Sequence, residues 1–205
     1  MELKQALAEL RKLEKRKFEQ GIDLIVNLKG IDVRKDNISA IITLPHKIKD
    51  KNVCGFLTKK SELVTTITQP DFARYKDKKE LKNLVKRYDF FIGAAPLMPS
   101  VATVFGKALG PAGKMPSPQL GIIAPETDAT IKNVLDKIDK SIKIRAKEAS
   151  IKVIAGKENM DDEQIIENIR AIYGGIVEAL PTKKENVKSV MIKLTMSKPI
   201  KVEIK

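Results

Sequence analysis

Gly110-Pro111-Ala112-Gly113-Lys114 is the stretch of this sequence most suggestive of chemistry, because a glycine-rich turn ending in lysine could cradle a phosphate. The pattern breaks twice. A phosphate-binding loop needs Gly where Ala108 stands and Ser or Thr where Met115 stands, and without that hydroxyl nothing holds magnesium. His46 is the single histidine, so any Ser-His-Asp or Cys-His device would have to use it. Cys54 is the single cysteine and sits in the apolar run Val53 to Leu57, which reads as a small core residue that cannot form an internal disulfide. One Cys and one His cannot complete a tetrahedral zinc site. Asp161-Asp162-Glu163 reads as the acidic start of a helix rather than a paired acid and base. No catalytic residue, metal ligand or cofactor is therefore expected.

Charge points elsewhere. The 205 residues carry 39 Lys+Arg against 26 Asp+Glu, a net +13, which attracts polyanions because neutralised phosphates release their counterions. Arg11, Lys12, Lys15, Arg16 and Lys17 cluster just before Phe18. They suit either a solvated helix end or an edge that grips phosphate, and Phe18 either the core or the face of a ribose. Lys76, Lys78, Lys79, Lys82, Lys86 and Arg87 form a second basic stretch, read as solvated surface. Aromatic residues make up only 4%, without Trp, so a partner RNA would be met through backbone, sugar and groove shape more than by stacked bases. No apolar run approaches the roughly 18 residues of a spanning helix. The N-terminus opens into an amphipathic pattern without a signal-peptide core, so a cytoplasmic protein with no membrane partner is expected.

The elements that must position these residues fall into two styles. Leu3, Ala6, Leu7, Leu10 and Leu13 recur at helical spacing, and Ile22 to Leu28 and Ile38 to Leu44 alternate as half-buried strands. The middle holds continuous apolar runs, Val53 to Leu57 and Asp89 to Gly93, with helices over Lys79 to Arg87, Val101 to Leu109 and Asp128 to Lys140. That is the pattern of buried parallel strands with helical crossovers. Gly110 to Pro118 reads as a loop. Alternation returns at Ile142 and Ile144, and at Ile151 and Val153, around Lys147-Glu148-Ala149. A helix follows from about Asp161 to Ala179, and then strands Val190 to Thr195 and Ile200 to Ile204. The economical architecture is a split α+β domain with an antiparallel sheet (residues 1–46 and 142–205) and an inserted α/β, Rossmann-like domain (47–141), joined by a double hinge. Residues 47–141 hold 17 cationic and 10 anionic side chains, the remainder 22 and 16, so charge alone does not pick the binding domain.

Lys17-Phe18 ahead of the alternating strand, Leu44-Pro45-His46, Gly110-Pro111 through Met115-Pro116, Met160 through Gln164, and Lys193-Leu194-Thr195-Met196 together resemble a known family. It is the large-subunit ribosomal protein family numbered one, the L-one family of the mobile stalk beside the tRNA exit site, in its archaeal form. The likeness covers nearly the whole chain. It implies the two-domain architecture above, with the terminal domain gripping structured large-subunit rRNA on the ribosome. It further implies that the same surface binds the protein's own mRNA and represses translation, and that exit-site tRNA is a partner. Carried over by position, the RNA surface comprises Lys17, Phe18, Asp23, Thr195 and Met196, with Ser197 and Lys198 beside them. Lys17 would pair with phosphate, Asp23 and Thr195 with ribose hydroxyls, and Phe18 and Met196 would pack on sugar or base edges. Strand alternation sends Thr195 outward, where its hydroxyl is available to a ribose unless it merely satisfies local backbone. The chain departs from the family at Ser197 (usually Gly), the extra Lys198, Gly21 (often a hydroxyl residue), Lys47 (Gly) and Ala112 (Arg). The rival reading is a nucleotide-binding enzyme on the inserted α/β domain.

Overall fold

The computed structural model describes residues 1–13, 16–32, 38–146 and 148–204, with the side chains of all of these except Lys76 and Lys78. Lys15 and Lys147, and the side chains of Lys76 and Lys78, lie outside the described residues. The chain is a mixed α/β protein with three sheets, and its contacts divide it into two compact units: residues 1–48 with 140–205, and residues 49–139.

In the terminal unit, β1 (Gly21–Leu28) runs antiparallel between β8 (Ser150–Lys157) and β9 (Val187–Leu194), and β10 (Ile200–Val202) adds to the outer edge of β9. Ile22, Leu24, Val26 and Leu28 point to one face and are buried, while Gly21, Asp23, Ile25 and Asn27 lie half-buried on the other. That strict alternation is what one covered face of an antiparallel sheet requires. The cover is α1 (Leu3–Arg11) and α5 (Asp162–Ala179), which bury Leu3, Leu7 and Leu10, and Ile165, Ile169, Ile172 and Ile176. The first helix stops at Arg11, and Leu13, counted on its apolar face by periodicity, is outside it and 47% exposed. A separate two-stranded ribbon pairs β2 (Ser39–Thr43) with β7 (Ser141–Arg145). Ile42 of this ribbon presses on Gly175, where any Cβ would come within 2.5 Å of it. Ile48 belongs to this core and Leu44 N–H bonds the Lys140 carbonyl, so the unit extends two residues past each of the sequence boundaries at 46 and 142.

The inserted unit is a parallel sheet in the order β4 (Thr65–Ile67), β3 (Val53–Phe56), β5 (Phe90–Ala94), β6 (Ile122–Ile123). Alternate residues serve two cores. Cys54, Phe56 and Phe91 pack beneath α2 (Lys78–Arg87) and α3 (Met98–Ala112), while Leu57 and Ile92 pack with Ile131 and Ile138 of α4 (Asp128–Asp139). Burial on both faces explains the continuous apolar runs. Periodicity misses β4, β6 and the tight helical turn Gln69–Lys76, because each is too short to show a period.

The Gly-Pro stretch corrects one expectation. Gly110, Pro111 and Ala112 are not loop; they form the last turn of α3, which also begins earlier than its apolar spacing suggests, with Pro99 in its first turn. Proline at the start of a helix costs nothing, since that N–H has no partner, and near the end it forfeits a single bond. Gly113, left-handed at φ +70°, closes the helix. Its N–H reaches the Gly110 carbonyl (2.9 Å) and Lys114 N–H the Leu109 carbonyl (2.9 Å).

Candidate nucleic-acid interface

At one end of the antiparallel sheet, three stretches distant in sequence are tied together by hydrogen bonds. β9 ends at Leu194, and the chain turns through Thr195 to Ser197. Thr195 N–H bonds the Gly21 carbonyl (3.0 Å), and the Thr195 hydroxyl accepts Gly21 N–H (3.0 Å) and donates to the same carbonyl (3.3 Å). The Ser197 hydroxyl accepts Leu194 N–H (2.9 Å), and its proton faces the carbonyls of Leu194 and Lys198. Met196 N–H reaches the buried Gln20 side chain (3.2 Å), and Gln20 in turn takes Glu158 N–H on its carbonyl (2.9 Å). Thr195, Met196, Gln20 and Glu158 thus share one hydrogen-bonded frame.

The basic cluster divides on this frame. Arg11 is spent internally: its guanidinium meets Asp162 at 2.6 Å and donates to the carbonyls of Glu158 (3.1 Å) and Met160 (2.7 Å). It fastens the end of α1 to the start of α5 and is not free to grip phosphate. Arg16 and Lys17 are exposed and form no ion pair with another described residue. With Phe18 and Asn159 they line an open groove of about 600 Å³ at this corner. Phe18 is 51% exposed and Met196 is 64% exposed, so the reading of Phe18 as a core residue is wrong. Glu19, paired with Lys157 at 2.9 Å, and Glu158 also line the groove, and Phe18 offers sugars and bases an apolar surface beside Arg16 and Lys17.

Asp23 lies two residues along β1 on the open face of the sheet, opposite Lys193 of β9. Burial pushes its carboxyl above the usual range, and the Lys193 ammonium partly offsets that. Asp23 does not line the groove. Lys198 is exposed beyond the turn. The Thr195 hydroxyl is exposed, as alternation required, yet it already holds the Gly21 backbone and retains only one free lone pair. Gln20 and Glu158 have no signature in the sequence, since their partners lie more than a hundred residues away, and Asn159 lines the groove only because the fold brings it beside Phe18.

The inserted unit offers no nucleotide site at the places chemistry would use. Its chain order reverses between β3 and β5, where open α/β sheets hold ligands. There the Glu126 carboxylate accepts Thr58 N–H (2.8 Å), Lys59 N–H (3.4 Å) and the Thr58 hydroxyl, so an internal anion fills the donors. The Gly-Pro stretch stands at a helix C-terminus, whose dipole repels anions, and Lys114 donates to the carbonyls of Val85 and Tyr88 that end α2 (2.7 Å each). Burial pushes the Cys54 thiol up to about 12, too high to ionise. His46 pairs with Glu167 (2.7 Å), and the buried Asn168 side chain binds its N–H and carbonyl, so this histidine docks its strand exit on α5. Among the described residues no group of His, Cys, Asp or Glu could hold a metal ion, and no helix is long and apolar enough to cross a membrane.

Residues 10–198 match the ribosomal protein L1p/L10e family. The chain belongs to that family. Its relatives include archaeal proteins named large ribosomal subunit protein uL1. The one from Methanocaldococcus jannaschii is 34% identical over 98% of this chain and 94% of the relative. The one from Thermofilum pendens is 34% identical over 98% and 90%, and the one from Thermococcus kodakarensis 33% identical over 92% and 90%. This is a family of ribosomal proteins and not of enzymes, which agrees with the filled crevice and with the glycines of Gly110 to Gly113 standing at a helix C-terminus.

Proposed function

We infer that the chain is a structural constituent of the large ribosomal subunit, working in the cytoplasm, whose terminal unit grips a folded segment of large-subunit rRNA at the mobile stalk near the tRNA exit site. The observation that carries this is Phe18, exposed in one groove with Arg16 and Lys17, which form no ion pair with another described residue, together with the exposed Met196 on the turn that Gln20 and Thr195 fasten. Lys17 and Lys198 meet phosphates; Phe18 and Met196 pack on sugars or base edges; Asp23, and the remaining lone pair of Thr195, accept from ribose 2′-hydroxyls. Ser197 sets the turn that presents Met196. A like element in the protein's own mRNA competes for the surface, which makes the protein a translational repressor. Exit-site tRNA meets the assembled stalk, and the two crossings near residues 48 and 140 give the units their hinge.

Binding is measured with the matching hairpin made as RNA and as DNA. RNA is expected to bind more tightly, and affinity to fall on the order of 10³-fold between about 50 and 200 mM salt if roughly six phosphates are neutralised. Equal affinity for DNA would remove the 2′-hydroxyls from the interface. A chain joining residues 1–48 to 140–205 through a short Gly/Ser linker keeps Ile48 and the Leu44–Lys140 bond. It is expected to fold and bind RNA as the full chain does, and a folded product without affinity would move the site to the insertion. Repression is read by adding the protein to translation of its own message and of one lacking the hairpin.

A further inference from the structure

The second basic stretch has no part in the terminal-unit site, and its surroundings are not those of a merely solvated face. On α2, Leu81 and Val85 form one row at four-residue spacing, and Lys82 and Lys86 form the next row over. On α3, Val104 and Ala108 make the facing row, with Lys107 beside them. These residues line a groove of about 1000 Å³ that Tyr75 closes at one wall. Tyr75, Leu81, Val85 and Val104 touch the core beneath but are only half-buried. Lys82, Lys86 and Lys107 are exposed and form no ion pair with any described residue. An apolar floor thus lies open between cations that no described residue neutralises.

We propose that this groove on the inserted unit docks an amphipathic helix from another protein, with apolar anchors on one face and Asp or Glu along its flanks. The floor supplies the hydrophobic seat that helix-in-groove recognition needs, and the lysines fix the sign of the partner's flanks and its approach. RNA fits less well, because a hydrated phosphate backbone gains nothing from Leu81, Val85 and Val104. The Tyr75 ring packs on Phe105 at 5.5 Å between centroids, so it anchors to the core rather than standing out as a stacking platform. A second copy of the chain is disfavoured by its net charge of +13.

The test uses the full chain and a fluorescent peptide of about 14 residues, roughly four helical turns. Its leucines occupy one helical face and its glutamates the flanks; an isomer of the same composition has the leucines spread around the helix. The patterned peptide is expected to bind saturably, at least about ten-fold tighter than the isomer. Lys82→Glu with Lys86→Glu, both exposed, should weaken it by about ten-fold or more, with a small fall in melting temperature because Lys86→Glu sets an anion in the last turn of α2. Val104→Ser should weaken it while leaving its salt dependence unchanged. Equal binding of the two peptides would reduce the groove to bare charge and overturn the proposal, as would no binding of the patterned peptide. Displacement of the peptide by an RNA hairpin from the parent chain, but not by RNA from the Lys82→Glu, Lys86→Glu chain, would make it a phosphate site. Self-association lost on the same charge reversal would make it a contact between copies. Failure of any arm leaves the rRNA-binding reading standing, because that is read at Phe18 and Met196.

Discussion

Gly110–Lys114 in the inserted unit and Arg11–Phe18 in the terminal unit look alike as anion binders, but they differ in what their polar groups already hold. Lys114 is committed to the carbonyls at the end of α2, and the glycines before it cap a helix whose negative end faces outward. Among the described residues of the terminal cluster, Arg11 is committed, to Asp162 and two carbonyls, while Arg16 and Lys17 form no ion pair with another described residue and stand beside an exposed Phe18. Residue type therefore says little about anion binding. What decides it is whether the fold has left the donor a free direction, and a cation that pins the frame makes its neighbour's freedom useful.

The sharpest way to break this contrast is Phe18→Ala, alone and with Met196→Ala. Both side chains are exposed, so the melting temperature should hold while RNA affinity falls by about ten-fold or more for each, the usual worth of a stacked or packed base. Affinity unchanged in the double variant would show that charge alone holds the RNA. Smaller effects should separate the committed from the free cations. Arg11→Ala is expected to cost about 1 kcal/mol of stability, its ion pair being largely exposed to solvent. Lys114→Met should cost about as much at most by uncapping α2, with RNA affinity unaltered. Lys17→Ala should leave stability alone and lower the slope of affinity against salt by about one. A fall in salt slope for Lys114→Met would undo the distinction between the two stretches.

The same contrast marks what could be read from the sequence. Long elements with a clear period were legible: the alternation of Ile22 to Leu28 gave β1, and Ile165, Ile169, Ile172 and Ile176 lie where helical spacing puts them on α5. The helical end of Gly110 to Ala112 was not, because glycine and proline punctuate loops and helix ends alike, and only the left-handed Gly113 tells them apart. Phe18 was placed by resemblance, while its exposure depends on a turn whose fastenings reach residues 158 to 162 and 195 to 197. The Thr195 hydroxyl shows the limit most plainly. Period two sends it outward correctly, but no local rule shows that Gly21, 174 residues away, would occupy it.

Asp23 carries the smallest effect and the clearest sign. Burial on the open sheet face raises its folded pKa above the ordinary value of 3.8, with Lys193 opposing. Between those two values the folded chain binds more protons than the unfolded one, so stability falls as pH rises through that window. Above it the ionised carboxylate weighs against the fold by a constant amount; below 3.8 both states are neutral and the penalty is gone. Asp23→Asn should therefore melt higher than the parent at pH 7, and the difference should shrink with acid and disappear below the ordinary carboxylate range. Adding Lys193→Met to both chains should widen that difference at pH 7, because it removes the Lys193 charge that favours the ionised form. If Asp23 accepts a ribose hydroxyl, the amide oxygen of the variant keeps the bond in weaker form and discrimination between RNA and DNA falls modestly. An Asp23→Asn chain less stable than the parent at pH 7 would show that attraction to Lys193 outweighs burial. Asp23 would then be a structural ion-pair partner held by β9, not a carboxylate kept at some cost for a ribose.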